Sequence, residues 1–344
     1  MRTSLLPRSV VAALLVVSAL PTTAHAQFYS GKQISLFIAT AAGGGYDAYA
    51  RIIARHLGSH ITGNPAIVPK NMPGADGLLL TNYLYNRAAR DGTEIGAIHN
   101  GIAFEKLLQT LSKGGETARF ESTEFGWIGS ANKSSFVTIV WHTAPVKTLQ
   151  DAQKTEAILG AASTASDNYL LAVLSNNLLG TKFKIVSGYS GSSSLDLAME
   201  REEVHGAAGK DWTSVTAQRP MWLSEKKINI LVQMGAEPHP DLKNVPFAID
   251  LAKSEEDKDV MRLLFSKFGM ARPYLAPPGL PNERLSELRN AFYATLKNPA
   301  FMAEATKAGM EINLVTGEEV ERLVKQIMAS PEPVVLKART VLTP

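Results

Sequence analysis

The sequence predicts an α/β protein of two lobes with mixed sheets, flanking helices and a ligand cleft between the lobes. Three observations predict it. Two stretches, Ile34–Gly101 and Ala157–Ala208, repeat one design of apolar strand, polar turn and helix. Between them, Phe125–Trp141 is long, apolar and rich in β-formers around Ser130-Ala-Asn-Lys-Ser-Ser135, as in chain passing from one domain to another. Gly269–Ala276 is extended again and ends in the stiff turn Pro277-Pro-Gly-Leu-Pro281, a second passage.

The first residues set the compartment. Arg2 and Arg8 form a positive n-region, Val10–Leu20 an apolar run, and Ala24-His25-Ala26 a cleavage site before Gln27. Residues 1–26 read as a removed secretory signal, with a retained anchor as the alternative. The expected location is the periplasm. Its removal leaves 318 of 344 residues and lowers Lys+Arg from 35 to 33 against 32 Asp+Glu. A nearly neutral chain argues against a nucleic-acid partner, which would require a basic patch. The chain has no cysteine, so disulfides, an acylated-lipoprotein anchor and a thiolate metal site are all excluded. The seven histidines are scattered along the chain, and neither metal nor cofactor is expected.

The central stretch is Ile34–Arg51. Ile34, Leu36 and Ile38 alternate and Phe37 makes the other face apolar too, as in a buried strand. Gly43-Gly-Gly45 then opens a helix whose Ala50, Ile53, Ala54 and Leu57 form a buried stripe. Strand, bare turn and helix start together make an anion-binding corner. Asp47 can complement the helix dipole, pair with Arg51 one turn on, or bond a ligand.

Pro65–Asn71 reads as a second strand, Leu78–Arg90 as a helix and Glu94–His99 as a third strand, an order that implies parallel pairing. In such sheets ligands bind beyond the strand C-termini, where Gly43–Asp47 and His99–Gly101 would meet. In the second series Ala157–Ala162 is a strand, Asn168–Leu179 a helix stopped by Gly180, and Phe183–Val186 a strand. Leu195–Glu203 reads as a helix, and Val204–Ala208 and Ile228–Met234 as strands. Asp250–Phe265 is helical with a charged outer face. Leu285, Leu288, Phe292 and Leu296 line one helix, and Ala300–Gly309 and Gly317–Ala329 complete a helical C-terminus.

Several motifs point elsewhere and fail on context. Gly43–Ala48 satisfies the dinucleotide pattern G-x-G-x-x-A, but the second strand ends Val68-Pro-Lys-Asn71 with no acid to hold a ribose. Ser130-Ala-Asn-Lys133 and Ser166-Asp-Asn168 match two marks of penicillin-recognising enzymes. Phe136–Trp141 is strand-like where the first mark needs a helix, and no K-T-G occurs. Gly188-Tyr-Ser190-Gly is one residue short of a nucleophile elbow and reads as a polar loop before a helix.

The features that recur together resemble the substrate-binding proteins of tripartite tricarboxylate transporters, the Bug family. They are Gly43–Arg51, Asn71-Met-Pro-Gly-Ala-Asp-Gly77, Ala89-Arg-Asp-Gly92, Gly188-Tyr-Ser-Gly, Pro246 and Ala276–Pro281, in order along the mature chain. The resemblance implies a type II, Venus-flytrap periplasmic binding protein. Its first lobe would be residues 27–130 with 266–344, and its second 131–265. By position it implies ligand contacts from Gly44, Gly45, Tyr46, Asp47 and Asn100 in the first lobe. In the second it implies Ser163, Thr164, Ala165, Ser166, Tyr189, Ser190, Gly191, Lys210 and Asp211. Three places depart from the family pattern: Tyr46 before Asp47, the hydroxyl-rich Ser163-Thr-Ala-Ser166, and Lys210-Asp-Trp212.

The expected function is a non-enzymatic, monomeric receptor that captures a small di-, tri- or aromatic carboxylate and delivers it to the permease subunits of such a transporter. A periplasmic serine hydrolase using Ser190 or Ser130, and an exported ligand sensor, are the alternatives. Asp47 is expected to shape the loop more than to touch a carboxylate, because two anions repel.

Overall fold

A computed structural model describes residues 28–108, 117–164 and 166–342. The secretory signal read at 1–26 lies outside the described residues. The strands, in chain order, are β1 (Gln33–Ile38), β2 (Ala66–Asn71), β3 (Glu94–Ala97), β4 (Gly126–Ser130), β5 (Phe136–Trp141) and β6 (Ala157–Ala161). They continue with β7 (Phe183–Ser187), β8 (Gly206–Asp211), β9 (Ile228–Met234), β10 (Pro273–Ala276) and β11 (Val315–Thr316). They form two sheets, β11-β4-β10-β3-β1-β2 and β7-β6-β8-β5-β9. Both sheets are mixed, with parallel β1, β2 and β3 in the first and parallel β6, β7 and β8 in the second. Strand β10 enters the first sheet antiparallel between β3 and β4.

The chain crosses between the sheets twice, after β4 and before β10. The two crossovers lie side by side. Ala131 N–H donates to Arg272 O at 3.0 Å, Ala271 N–H to Asn132 O at 2.9 Å and Ser134 N–H to Phe268 O at 2.9 Å. A pair of hydrogen-bonded segments joining two sheets is the form of a hinge. The parallel strands of both sheets end toward it, so the loops after β1, β3, β6, β7 and β8 share the space between the sheets.

Strand β1 is buried on both faces because helices cover each side. The helix Gly45–Leu57 buries Tyr49, Ala50, Ile52, Ile53, Ala54 and Leu57 and packs against the helices Asn282–Lys297 and Pro299–Lys307. Leu288, Phe292 and Leu296 are buried in the same cluster. Another core runs continuously from Leu78 and Trp127 to Leu159, Phe265 and Val335.

Several boundaries differ from the sequence reading. The strand read at Val204–Ala208 is Gly206–Asp211, because Val204 and His205 belong to the preceding turn. The helix read from Leu195 begins at Ser192 and ends at Glu200. The helix read from Asp250 starts at Glu255, where Ser254 Oγ accepts the Asp257 N–H. A last helix, Glu332–Val341, was not anticipated, since Pro331 and Pro333 resemble breakers yet both suit a helix start. It straps both lobes: Arg339 donates to Leu107 O, Lys337 pairs with Asp257 at 2.8 Å, and Asn177 Nδ2 donates to Val341 O at 2.9 Å.

Candidate functional site

The loop after β1 is held open by a buried carboxylate. Asp47, 3% exposed, accepts the Gly43 N–H at 2.8 Å, Arg51 Nε at 2.9 Å and Asn71 Nδ2 at 2.8 Å. Arg51 in turn donates to Asn71 Oδ1 at 2.7 Å, and Asn71 to Thr40 O at 2.8 Å. Burial pushes the Asp47 carboxyl up, but the bonds from Arg51, the Gly43 amide and Asn71 outweigh it and hold it down at about 2. The loop bends at Gly43, whose φ of +91° is strained for any residue with a Cβ. Gly44, at the helix N-cap, offers no side-chain cap, so the first N–H groups of the helix lack an acceptor within it.

Tyr46 stands at the mouth of that turn. Its hydroxyl donates to Asn100 Oδ1 at 3.4 Å and accepts the Asn100 N–H at 3.3 Å. The loops after β1 and β3 therefore meet. The Tyr46 ring lies 4.7 Å from the His99 ring and 4.4 Å from the guanidinium carbon of Arg272. Asn100 Nδ2 donates to Lys267 O at 3.0 Å, and Lys267 Nζ pairs with Asp167 at 2.7 Å. That chain of contacts reaches from the first lobe to the loop after β6 in the second.

In that second-lobe loop Ser163 and Thr164 are exposed, and Ala165 lies outside the described residues. Ser166 Oγ donates to Ser163 O at 2.6 Å, so its hydroxyl closes the turn. After β7, Tyr189 packs its ring over Gly160: a Cβ there would sit 3.1 Å from Tyr189 Cε2. Ser190 is exposed, and Gly191, at φ +151°, starts the helix Ser192–Glu200 with no atom within 4 Å of a would-be Cβ. Asp211 accepts the Ser214 N–H at 2.9 Å and caps the helix Trp212–Gln218; burial pushes its carboxyl up.

Two expected ligand contacts are turned into the protein. Asp47 spends its oxygens on the network above. Lys210 is 5% exposed and pairs with Asp196 at 2.5 Å, tying β8 to the helix Ser192–Glu200. Arg219 Nε lies 3.3 Å from the other Asp196 oxygen, out of line for a hydrogen bond. The buried ammonium is thus taken up by a partner within its own lobe.

Trp212, 7% exposed, follows Asp211 directly at the end of β8. It lines a cavity of about 610 Å³ beside the hinge, with Lys133, His239 and Glu311 among the other walls. Near it Glu311 joins the lobes. Its carbonyl accepts Tyr49 Oη at 2.9 Å and its carboxylate accepts the Thr213 hydroxyl. The serines of the hydrolase alternative are separate. Ser130 is fully buried, donating to Asn132 O at 2.9 Å and accepting the Arg272 N–H at 3.0 Å, while Lys133 pairs with Glu237.

Sequence reasoning missed Arg272, Lys267 and Glu311. Only for Arg272 was there a signal: a lone cation between apolar residues at the entry to a strand.

No protein-family model matches the chain. A curated relative, the UPF0065 protein in the gbd 5' region of Cupriavidus necator, is 23% identical over 334 residues, 94% of this chain and 93% of that protein. The TctC solute-binding protein from Polaromonas is similar in structure, with a TM-score of 0.68 and 17% identity over 91% of this chain and 99% of that one. The chain has the fold of the TctC/Bug solute-binding proteins. MatC of Rhodopseudomonas palustris, described with bound malate, is also similar, with a TM-score of 0.57 and 18% identity over 90% of this chain and 99% of that one. The resemblance to the Bug family thus holds in the fold and along nearly the whole chain. Among the described residues no helix is long and apolar enough to cross a membrane, and no group of His, Asp and Glu is placed to hold a metal ion.

Proposed function

We propose that the protein is a periplasmic solute receptor that closes its two lobes on a small carboxylate and presents it to the permease subunits of a tripartite tricarboxylate transporter. One observation carries this reading. The bare turn and open helix start at Gly43–Tyr46 share an interlobe space with the exposed loops Ser163–Thr164 and Ser190–Gly191, beside a paired-segment hinge. The malate described in MatC gives a carboxylate precedent in a protein of this fold.

In this reading Gly44, Gly45, Tyr46 and Asn100 meet the solute from the first lobe. Ser163, Thr164, Tyr189, Ser190 and Gly191 meet it from the second. Asp47 and Lys210 act by holding their loops, and Asp211 by its cap. The lobes divide at 130/131 and 265/266, and the protein acts as a monomer. Each charge-assisted bond contributes about 1.5–3 kcal/mol, so a few suffice for roughly micromolar affinity after association costs.

A thermal-shift panel of mono-, di-, tri- and aromatic carboxylates tests the reading. A ligand at about 100 times its Kd adds ~2.7 kcal/mol of stability. Stabilisation by none of them, with Ser190 labelled by a serine-reactive probe, would replace the receptor by a hydrolase.

A further inference from the structure

Among the described residues, three cations around the cleft are paired with carboxylates and Arg272 is not. Arg51 is held by Asp47, Lys210 by Asp196 and Lys267 by Asp167. Arg272 ends the second crossover immediately before β10, and no carboxylate lies within ion-pair distance of it among the described residues. Its Nη1 donates to Ala271 O at 2.8 Å. Its Nε is buried without an acceptor, a state that costs stability unless something supplies one.

The edge of the guanidinium left over is the one formed by Nε and Nη2. Those two N–H groups run parallel and match the two oxygens of a carboxylate. Tyr46 and Tyr49, with ring centroids 4.4 and 5.2 Å from the guanidinium carbon, hold the cation and shield it from water. Gly45 in the turn after β1 lies against this edge: a Cβ there would stand 3.7 Å from Nη2.

The opposite wall has the other sign. Asp211 caps the facing helix, within the field of both Arg272 and Glu311. A second carboxylate on the solute would meet these acids and be repelled.

We propose that Arg272 is the carboxylate anchor of the cleft, gripping one carboxylate on its Nε–Nη2 edge over Gly45, and that the site selects solutes with one carboxylate over those with two. This rests on the receptor reading above and narrows its ligand class to monocarboxylates.

Isothermal titration calorimetry of the full chain tests it with benzoate, nicotinate and hexanoate. Adipate, phthalate and malate are compared as dicarboxylates, and benzamide and nicotinamide as neutral analogues. The unaltered protein is expected to bind at least one monocarboxylate about 10-fold or more tighter than its amide and than any dicarboxylate. Arg272→Gln is expected to weaken that acid ~10- to 100-fold and to erase the preference for acid over amide. Arg272→Lys restores part of the affinity, since it keeps the charge without the fork. Acid affinity in Arg272→Gln within about twofold of the unaltered protein, or a dicarboxylate that binds best, overturns the anchor while leaving the receptor standing. Binding by amides alone, or by no member of the panel, overturns both. The selectivity of the unaltered protein decides the matter even where a variant does not fold.

Discussion

Asp47→Asn removes the charge on which the turn after β1 is hung. The carboxyl falls from its ordinary 3.8 to about 2 in the folded chain. At ~1.4 kcal/mol for each pKa step that is about 2 kcal/mol before screening, and less afterwards because Arg51 is more than one-third exposed. The asparagine amide must also place a donor against the Gly43 N–H, Arg51 Nε or Asn71 Nδ2, costing about 1 kcal/mol more. The expected loss at pH 7 is therefore roughly 2–3 kcal/mol in urea unfolding. A depressed folded pKa contributes stability that is complete above the unfolded value and disappears as pH falls. The wild-type chain should lose this share between about pH 5 and pH 2, and the variant should not, so the two curves converge in acid. A loss below ~0.5 kcal/mol at pH 7, or parallel curves down to pH 2, would refute the network as the support of the loop. So would tighter binding of a dianion with no loss of stability.

Two further perturbations separate scaffold from site. Lys210→Met breaks a pair in which both side chains are 5% exposed, leaving Asp196 with Arg219 alone. It should cost about 3 kcal/mol in urea unfolding, with solute affinity nearly unchanged in calorimetry; an affinity loss without a stability loss would return Lys210 to the ligand. Gly160→Ala puts a Cβ 2.3 Å from Leu195 Cδ1 and 3.1 Å from Tyr189 Cε2. It should cost ~1–3 kcal/mol through overpacking and weaken solute binding by displacing the loop after β7. Wild-type affinity in a destabilised Gly160→Ala would show that Tyr189 does not position the site.

Much of the fold was legible because its signals are local. The alternation of Ile34–Ile38, the glycines that follow and the stripe Ala50, Ile53, Ala54 and Leu57 each depend on residues a few positions apart, and the strand, turn and helix stand where they predict. The long β-rich stretch Phe125–Trp141 became two strands in two sheets, as its polar middle suggested. The last helix was hidden because proline ends most helices yet also begins them, and only packing against Glu255–Phe265 distinguishes the cases.

The site was legible only as loops. Sequence by itself determined which backbone is bare, which turns are rich in hydroxyls and that Asp47 lies in the first turn of a helix, one turn ahead of Arg51. It could not assign partners, because charge compensation depends on distance in space. Lys210 is silenced by Asp196 across a helix–strand contact, and Asn71 reaches Asp47 only because β2 pairs in register with β1. Arg272 carries only a weak local mark, a lone cation between apolar residues, and that mark names no partner. The hinge delivers it from a distant part of the chain to Tyr46, Tyr49 and Gly45, with no carboxylate within ion-pair distance among the described residues. Which cation stays unpaired among the described residues is a property of the tertiary structure alone.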